Sequence, residues 1–231
     1  DIIEKAFSLK KAKAIAININ TPGESTVQSH LIYKFIKKQR KKNKKKVIVF
    51  AEDVAASGGY LIACSGDEIY ANPSSIIGSI GVIYSSFGFT DLIKKIGVER
   101  RVHTAGKNKS TLDPFLDEKS EDIERLKNIQ LDLHKEFINV VEESRGSKLK
   151  KNDIELFSGE FWSGSKAREL GLVDGLGNAN EILKEKFGED IVIKKFEKSK
   201  GWLAKKLSSS NQINQFVNIL EERSIWQRYG F

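Results

Sequence analysis

The sequence predicts an α/β fold in which helices flank a mainly parallel sheet. Short apolar segments alternate along the 231-residue chain with segments whose apolar residues recur at helical spacing. Residues 47–50 are continuously apolar, as expected of a strand that is covered on both faces. Strands that alternate with helices imply crossover connections and parallel pairing. A hydrophobic content of 39% suffices for the core of one large domain.

The first part of the chain contains two predicted strands and two predicted helices. Residues 14–19 alternate larger and smaller apolar side chains, and the turn at residues 20–23 ends this strand. Ser25 can cap the next helix, because the apolar residues that follow it lie on one helical face. Residues 46–50 form the second predicted strand, and the turn at Ser57 begins the second helix.

The middle of the chain predicts short elements followed by one long helix. We expect extended segments at residues 68–71, 79–83 and 99–104, and a helix at residues 87–96. Residues 117–145 predict a single helix because their apolar side chains recur at helical spacing.

The last part of the chain predicts two further helices and a tail. Ser163 can cap the first helix, residues 180–187 form the second, and residues 191–196 are expected to be extended. We therefore predict one domain over residues 1–197, which lacks its N-terminal strand. Residues 198–231 then form a polar linker and a C-terminal amphipathic helix.

Ser57 and Lys109 are the candidate catalytic residues. Ser57 follows an apolar strand and precedes Gly58 and Gly59, so it stands at a strand-to-helix turn that can expose a nucleophilic hydroxyl. The two glycines permit strained backbone angles and the close approach of a substrate backbone. Lys109 lies in a second glycine-marked turn. An ordinary lysine has a pKa of ~10.4, so a lysine that acts as a general base must be held neutral, for example by burial.

Lys107 and the three histidines are the alternative bases. Lys107 precedes Lys109 by two residues in the same turn. His30 and His134 lie on predicted helices, and we interpret both as surface residues. His103 precedes the lysine turn and is the histidine that we expect nearest to the cleft.

Six short motifs follow one another along the chain. They are residues 20–23 (Asn-Thr-Pro-Gly), 56–60 (Ala-Ser-Gly-Gly-Tyr), 78–82 (Gly-Ser-Ile-Gly-Val), 106–109 (Gly-Lys-Asn-Lys), 157–159 (Phe-Ser-Gly) and 171–174 (Gly-Leu-Val-Asp). In this order they resemble the signal peptide peptidase A / SohB family of Ser-Lys serine peptidases, in its short single-repeat form. Each motif alone is weak evidence, but their shared order argues against a chance match.

The resemblance implies a Clp/crotonase-like superhelix of repeated β-β-α-type units and a catalytic Ser-Lys dyad. The family pattern of a glycine, two variable residues and a lysine selects Lys109 over Lys107. It also implies that Ser79 orients the lysine by a hydrogen bond, as the acid orients the base in a triad. Related Clp-type peptidases use a histidine soon after the serine. Residues 78–83 contain no histidine, which argues against that triad.

The resemblance further implies an oxyanion hole made by the backbone N–H groups of Gly58 and Gly23. Glu24 stands where the family usually has a second glycine, and we expect it to contact substrate and alter substrate preference. Gly59 and Gly81 are the other expected substrate-binding positions. No metal and no cofactor are expected.

The predicted function is therefore a serine endopeptidase that hydrolyses unfolded, membrane-derived or signal-peptide substrates. The alternative is a catalytically inactive scaffold of the same fold that binds peptides or membranes. The resemblance implies a homo-oligomer that is membrane-associated or periplasmic, with a cytoplasmic location as the alternative. We expect an N-terminal signal or anchor upstream of Asp1, because the chain contains no methionine.

The basic character of the chain is concentrated in one segment. Residues 37–46 carry eight Lys or Arg side chains, which equals the net charge of +8 for the whole chain. This segment is either a contact with an anionic membrane surface or a solvated helix end. It contains no aromatic side chain, so we expect no nucleic-acid partner. The single cysteine, Cys64, excludes an intramolecular disulfide and a cysteine-based zinc site, and we expect it to be buried.

Overall fold

The computed structural model describes residues 2–23, 25–150, 155–196 and 229. The predicted linker and C-terminal helix lie outside the described residues apart from Tyr229, and Glu24 also lies outside them. The helices are α1 (Ile2–Ser8), α2 (Thr26–Asn43), α3 (Gly58–Ala63), α4 (Thr90–Lys95), α5 (Ser120–Arg145), α6 (Gly164–Glu169) and α7 (Ala179–Phe187). The strands are β1 (Ala14–Thr21), β2 (Lys46–Ala56), β3 (Glu68–Ala71), β4 (Ile76–Gly78), β5 (Phe161–Ser163) and β6 (Gly175–Leu176). None of these helices combines the length and hydrophobicity that a bilayer-spanning segment needs.

Strand β2 is the centre of a mixed, mainly parallel sheet. It pairs with β1 along one side. Along its other side, the first half pairs with β3 and the second half pairs with β4. Strand β6 is parallel to β3, and β5 is antiparallel to β4. This topology confirms the predicted α/β class, whereas the repeated superhelical units stay a prediction.

The alternating side chains of β2 explain why its first half is continuously apolar. Val47 and Val49 belong to the main core, together with residues of α2, α3 and α5. Ile48 and Phe50 point to the other face and pack with Ile182 and neighbouring residues of α7. Helices therefore cover both faces of the strand that carries the candidate nucleophile at its end, which gives that residue a rigid support.

Several predicted elements agree with the structure to within a few residues, because their apolar periodicity is long or their caps are strong. Ser25 accepts a hydrogen bond from the N–H of Gln28 at 3.4 Å, and Ser163 accepts one from the N–H of Lys166 at 3.3 Å. Strand β2 extends beyond the predicted residue 50 as far as Ala56, directly before Ser57.

Other predicted elements are wrong. The strand expected at residues 79–83 lies earlier, at β4, because Ser79 has a positive φ of 51° and ends the extended backbone. Residues 99–104 and 191–196 form no strand, since no described strand pairs with them. The helix expected at residues 87–96 shortens to α4, which buries none of its side chains.

A buried ion pair joins the end of α5 to the segment before β6. The Arg145 side chain is 2% exposed, and its Nη1 donates to Asp174 Oδ2 at 2.6 Å. The same guanidinium donates twice to the Gly171 carbonyl, at 3.1 and 2.8 Å. Burial alone raises the pKa of Asp174, but the hydrogen bonds from Arg145 and Lys148 outweigh burial, so the pKa lies below its ordinary value.

Arg145→Ala is expected to lower the free energy of unfolding by about 3 kcal/mol, because it removes a buried guanidinium and leaves the partly buried Asp174 carboxylate without its main partner. Lys148→Ala is the matched control: Lys148 is 41% exposed and should contribute less than about 1 kcal/mol. Since the folded-state pKa of Asp174 is lowered, its stabilising contribution is present above about pH 4 and is lost as the pH falls further. Urea unfolding of both variants at neutral and acidic pH measures these effects. Equal costs for the two substitutions would contradict the prediction.

Candidate active site

Ser57 lies between β2 and α3 in a strained backbone conformation. Its φ of 49° and ψ of −121° fall where residues other than glycine are rare, at a cost of order 1–3 kcal/mol. Its N–H donates to the Gly78 carbonyl at 2.8 Å, and its carbonyl accepts from the Leu61 N–H at 3.0 Å. The Ser57 hydroxyl caps no N–H of α3, and the residue is only partly buried. A fixed backbone thus presents a hydroxyl at a strand-to-helix turn, which is the arrangement of a nucleophile elbow.

The turn after β1 lies directly against the Ser57 turn. Gly23 has a φ of +79°, and a Cβ atom there would lie 2.7 Å from the Ala56 carbonyl oxygen and closer still to the Gly58 nitrogen. No side chain fits in this space. The Gly58 N–H has no acceptor among the residues that the structure describes, whereas the Gly23 N–H donates to Thr21 Oγ1 at 3.2 Å. As the first N–H of α3, the Gly58 N–H has no acceptor within the helix, whereas the Gly23 N–H is already bonded to Thr21 in this structure.

Gly59 allows α3 to approach β1. A Cβ atom on Gly59 would lie 2.7 Å from the Thr21 carbonyl oxygen. In the described structure, Gly59 is needed because the helix approaches the strand closely at this point. This packing role does not depend on contact with a ligand.

Ser79 is linked to Ser57 through one peptide unit. The carbonyl that accepts the Ser57 N–H belongs to Gly78, the residue before Ser79. The Ser79 N–H in turn donates to the Glu160 carbonyl at 2.7 Å. The Trp162 ring covers Gly78 so closely that a Cβ atom there would lie 2.8 Å from the ring. The position of Ser79 relative to Ser57 is thus fixed by backbone bonds on both sides.

Strand β5, which supports this arrangement, was not predicted. It pairs Phe161 with Gly78 and Trp162 with Ile77. Gly81 is also held from this side, since a Cβ atom on it would lie 3.0 Å from the Gly159 Cα. The signal in the sequence is the aromatic pair Phe161 and Trp162 between a glycine turn and a helix cap, because aromatic residues favour strands.

Tyr229 reaches the same region from the far end of the chain. Its ring packs edge-on against Phe161 with the centroids 5.0 Å apart. Its hydroxyl donates to Ser79 Oγ at 3.5 Å. The Ser79 hydroxyl therefore faces a tyrosine in the described part of the chain, not a lysine.

Lys109 makes no hydrogen bond to Ser57 or Ser79 among the described residues. It is exposed in a turn where its backbone N–H donates to the Gly106 carbonyl at 3.1 Å. Among the described residues, no hydrogen bond or ion pair involves its ammonium group. Lys107 is exposed in the same turn. The structure brings Ser57, Gly58, Gly23 and Ser79 together, and no hydrogen bond or ion pair in the described part of the chain joins either lysine to them.

The turn with Lys109 belongs to residues 82–119, which we call the lysine-bearing segment. The segment is held by its own contacts: the Phe89 N–H donates to the Pro114 carbonyl at 2.6 Å, and Arg100 pairs with Asp113 at 2.9 Å. It also exposes large apolar side chains. These are Ile83, Tyr84, Phe87, Leu92, Ile96 and Val98. So many exposed large apolar side chains in one short segment make it a candidate for contact with another molecule.

The histidines do not replace the lysine in the described structure. His134 is half-buried and its Nε2 lies 3.1 Å from the Ile80 carbonyl oxygen, so its interpretation as a surface residue was wrong. The helical periodicity of α5 did not reveal that its middle packs beside β4. His103 is exposed, and the His30 ring lies 6.0 Å from that of Tyr33.

Other candidate nucleophiles and a metal site find no support in the described ranges. Cys64 is buried as predicted, and burial raises the pKa of its thiol to about 12, so it is protonated at neutral pH. The buried Tyr60 hydroxyl donates to the Leu172 carbonyl at 2.8 Å. No group of three or more His, Cys, Asp or Glu side chains in these ranges is placed to hold a metal ion.

Comparison with known proteins connects this geometry to a family of peptidases. The profile described as "Peptidase family S49" matches residues 39–189, which include Ser57, Ser79 and Lys109. The chain is 29% identical over 216 residues to a "Putative signal peptide peptidase SppA" of Enterococcus faecium, which covers 89% of this chain and 62% of that protein. It is 38% identical over 145 residues to a "Probable protease SohB" of Buchnera aphidicola, which covers 62% of this chain and 42% of that protein.

A third relative has a different name. The chain is 51% identical over 243 residues to a protein of Brucella abortus named "Na(+)/H(+) antiporter NhaA", and the match covers 99% of this chain but 33% of that protein. The chain thus spans between about a third and under two thirds of these relatives. The name antiporter refers to a protein that is mostly outside the match, so it assigns no transport activity to this chain.

Proposed function

The chain belongs to peptidase family S49, and from this premise we propose that it is a serine endopeptidase with Ser57 as the nucleophile. The observation that supports the proposal best is the backbone at Ser57. A non-glycine residue keeps a positive φ, and the adjacent Gly58 N–H has no acceptor in the described part of the chain. Strain of this kind persists where the surrounding structure enforces it, which is common at catalytic positions.

In the proposed mechanism, a neutral Lys109 amine accepts the proton of the Ser57 hydroxyl as its oxygen attacks the scissile carbonyl. The Gly58 N–H, joined by that of Gly23, stabilises the oxyanion of the tetrahedral intermediate. Lys109 then transfers the proton to the leaving amine, and the peptide bond breaks to give an acyl-enzyme. Water then attacks the ester while Lys109 accepts a proton from it, and return of that proton to the Ser57 oxygen releases the acid product and restores Ser57. Ser79 orients the amine in this scheme.

Gly23→Ala is expected to lower kcat/KM for peptides by about 10²-fold, because the new Cβ displaces the Gly58 nitrogen that binds the oxyanion. Gly188→Ala is the matched control. Gly188 has a comparable positive φ of +101°, but a Cβ atom there meets nothing within 4 Å. The control should therefore show the backbone strain without the loss of activity. Similar losses in both variants would contradict a role for the Gly23 turn in the site.

The position of Lys109 favours a homo-oligomer. A lysine base must be covered to be neutral, yet Lys109 is exposed and the lysine-bearing segment presents an apolar surface with Phe87 79% exposed. We propose that a second copy of the chain covers this surface and that its Ser57 receives Lys109. The two halves of the dyad then come from different copies.

Mixing two inactive variants tests this arrangement. A chain with Ser57→Ala keeps its lysine, and a chain with Lys109→Ala keeps its serine, so a mixed oligomer contains some complete sites. Recovery of peptidase activity on mixing and re-equilibrating the subunits is the expected result, together with an oligomer in light scattering. An active monomer, or a mixed oligomer without any recovered activity, contradicts a dyad shared between copies.

The exposure of Lys109 also motivates a second candidate function. This is a catalytically inactive scaffold of this fold that binds peptides. A fluorophosphonate probe separates the two functions, because it reacts only with an activated serine. We expect labelling of wild type at Ser57 and turnover of fluorogenic peptides with small or apolar residues at the cut. Binding of these peptides without labelling and without turnover would favour the scaffold.

The proposed substrates are unfolded or membrane-derived segments, which include remnants of signal peptides. Such substrates are extended and apolar, and the glycines at positions 23 and 58, which carry no side chain, suit the close approach of an extended backbone. A comparison of peptides with small, apolar and charged residues at the cut measures this preference, and faster cleavage of charged peptides would contradict it.

A further inference from the structure

Lysines from two distant parts of the sequence meet at the end of the sheet opposite Ser57. The register pairs Ala14 with Lys46, so the start of β1 lies beside the start of β2. Lys45 fixes this arrangement, because its Nζ donates to the Phe7 carbonyl at 2.9 Å and also to that of Leu9. The connection from α1 to β1 and the last turns of α2 therefore lie together. Their exposed lysines form what we call the basic end, namely Lys10, Lys11, Lys13, Lys38, Lys41 and Lys42.

The six lysines of the basic end differ from three neighbouring cations that are held in ion pairs. Lys37 pairs with Glu143 at 2.8 Å, Arg40 pairs with Asp67 at 3.2 Å, and Lys46 pairs with Glu68. The six lysines form no ion pair with any residue that the structure describes. Beside them lies an open groove of about 820 Å³, lined by seven Lys or Arg residues and one Asp. The charge at this end is thus accessible and not neutralised.

We propose that the basic end docks on the surface of a membrane that contains anionic lipids. Clusters of four to eight lysines or arginines suit the diffuse negative potential of such a surface. The chemistry of the basic end fits this partner better than a nucleic acid. The surface offers no aromatic ring for base stacking, and its one arginine is occupied by the Ser65 carbonyl and Asp67.

This mode of docking leaves the candidate active site open to water. Strand β2 runs from Lys46 at the basic end to Ala56 beside the nucleophile. Its length of 11 residues corresponds to about 33 Å in an extended strand. The candidate site therefore lies at the opposite end of β2 from the basic end, so docking and peptide hydrolysis can be tested separately.

Vesicle co-sedimentation of the full chain tests the proposal. Vesicles of phosphatidylcholine alone are compared with vesicles that also contain phosphatidylglycerol, at low and high salt. One variant carries Lys38→Gln, Lys41→Gln and Lys42→Gln, and a second carries Lys10→Gln, Lys11→Gln and Lys13→Gln. A control variant replaces three exposed lysines elsewhere with glutamine, Lys127, Lys135 and Lys195.

Wild type and the control variant are expected to bind the anionic vesicles and to lose binding at high salt. Each basic-end variant should bind at least about tenfold more weakly and keep its hydrolysis of soluble peptides. Binding without a preference for anionic lipid, equal losses in the control variant, or unchanged binding in both basic-end variants would each overturn the proposal. Salt-sensitive binding of duplex DNA or RNA through the same lysines, without vesicle binding, would overturn it in favour of a nucleic-acid partner.

Discussion

Ser57→Ala is expected to lower kcat/KM for peptide hydrolysis by at least about 10⁴-fold and to abolish labelling by a fluorophosphonate. Loss of the nucleophile alone removes nearly all the rate enhancement that a nucleophile and its base provide together. The residual rate should resemble that of Lys109→Ala, since neither residue of a dyad works without the other. Steady-state kinetics of purified protein, with mass spectrometry of the probe adduct, measure both effects.

Comparing Ser57→Gly with Ser57→Ala separates the loss of the hydroxyl from the relief of backbone strain. Both substitutions remove the hydroxyl, but only glycine adopts a φ of 49° without strain. Relief of about 1–3 kcal/mol of strain exceeds the entropic cost of glycine, about 0.5–1 kcal/mol, so Ser57→Gly should unfold at higher urea than Ser57→Ala. Peptidase activity in either variant would contradict Ser57 as the nucleophile. A less stable glycine variant would contradict strain at the turn.

Long elements of this fold and the four-residue strand β3 could be predicted from the sequence, whereas the strands of two or three residues could not. Helix α5 has 26 residues, so its apolar periodicity repeats many times. Strands β5 and β6 have three and two residues, too few for any period to show. Whether such a segment is a strand depends on the neighbour that completes its hydrogen bonds. The segments at residues 99–104 and 191–196 have no such neighbour in the described structure.

The part of the candidate site that depends on local sequence, the turn at Ser57, could be predicted. A serine between an apolar strand and two glycines indicates a strained turn, and Ser57 has one. Its link to Ser79 through Gly78 requires β4 to lie beside the second half of β2, which no local pattern indicates. The environment of Lys109 is even harder to predict from the sequence, because it depends on what covers the lysine-bearing segment.

Lys109→Ala is expected to lower kcat/KM by about 10⁴-fold, at the upper end of the range that a general base contributes. Lys107→Ala is the matched control, since Lys107 lies in the same exposed turn and carries the same charge. It should keep nearly full activity. Lys109→Arg should be as inactive as the alanine variant, because a guanidinium does not lose its proton and cannot accept one from serine.

The pH profile identifies the chemistry behind this difference. The active form of the proposed base is the neutral amine, so wild-type kcat/KM should rise with pH as the amine loses its proton and fall as the pH is lowered. The residual activity of Lys109→Ala should lose this dependence, while Lys107→Ala should keep it. If both variants match wild type in rate and profile, the base is another residue, and His103 in the same segment becomes the next candidate. If only Lys109→Ala loses both, the strained serine and the exposed lysine act on the same proton, as the proposed contact between two copies requires.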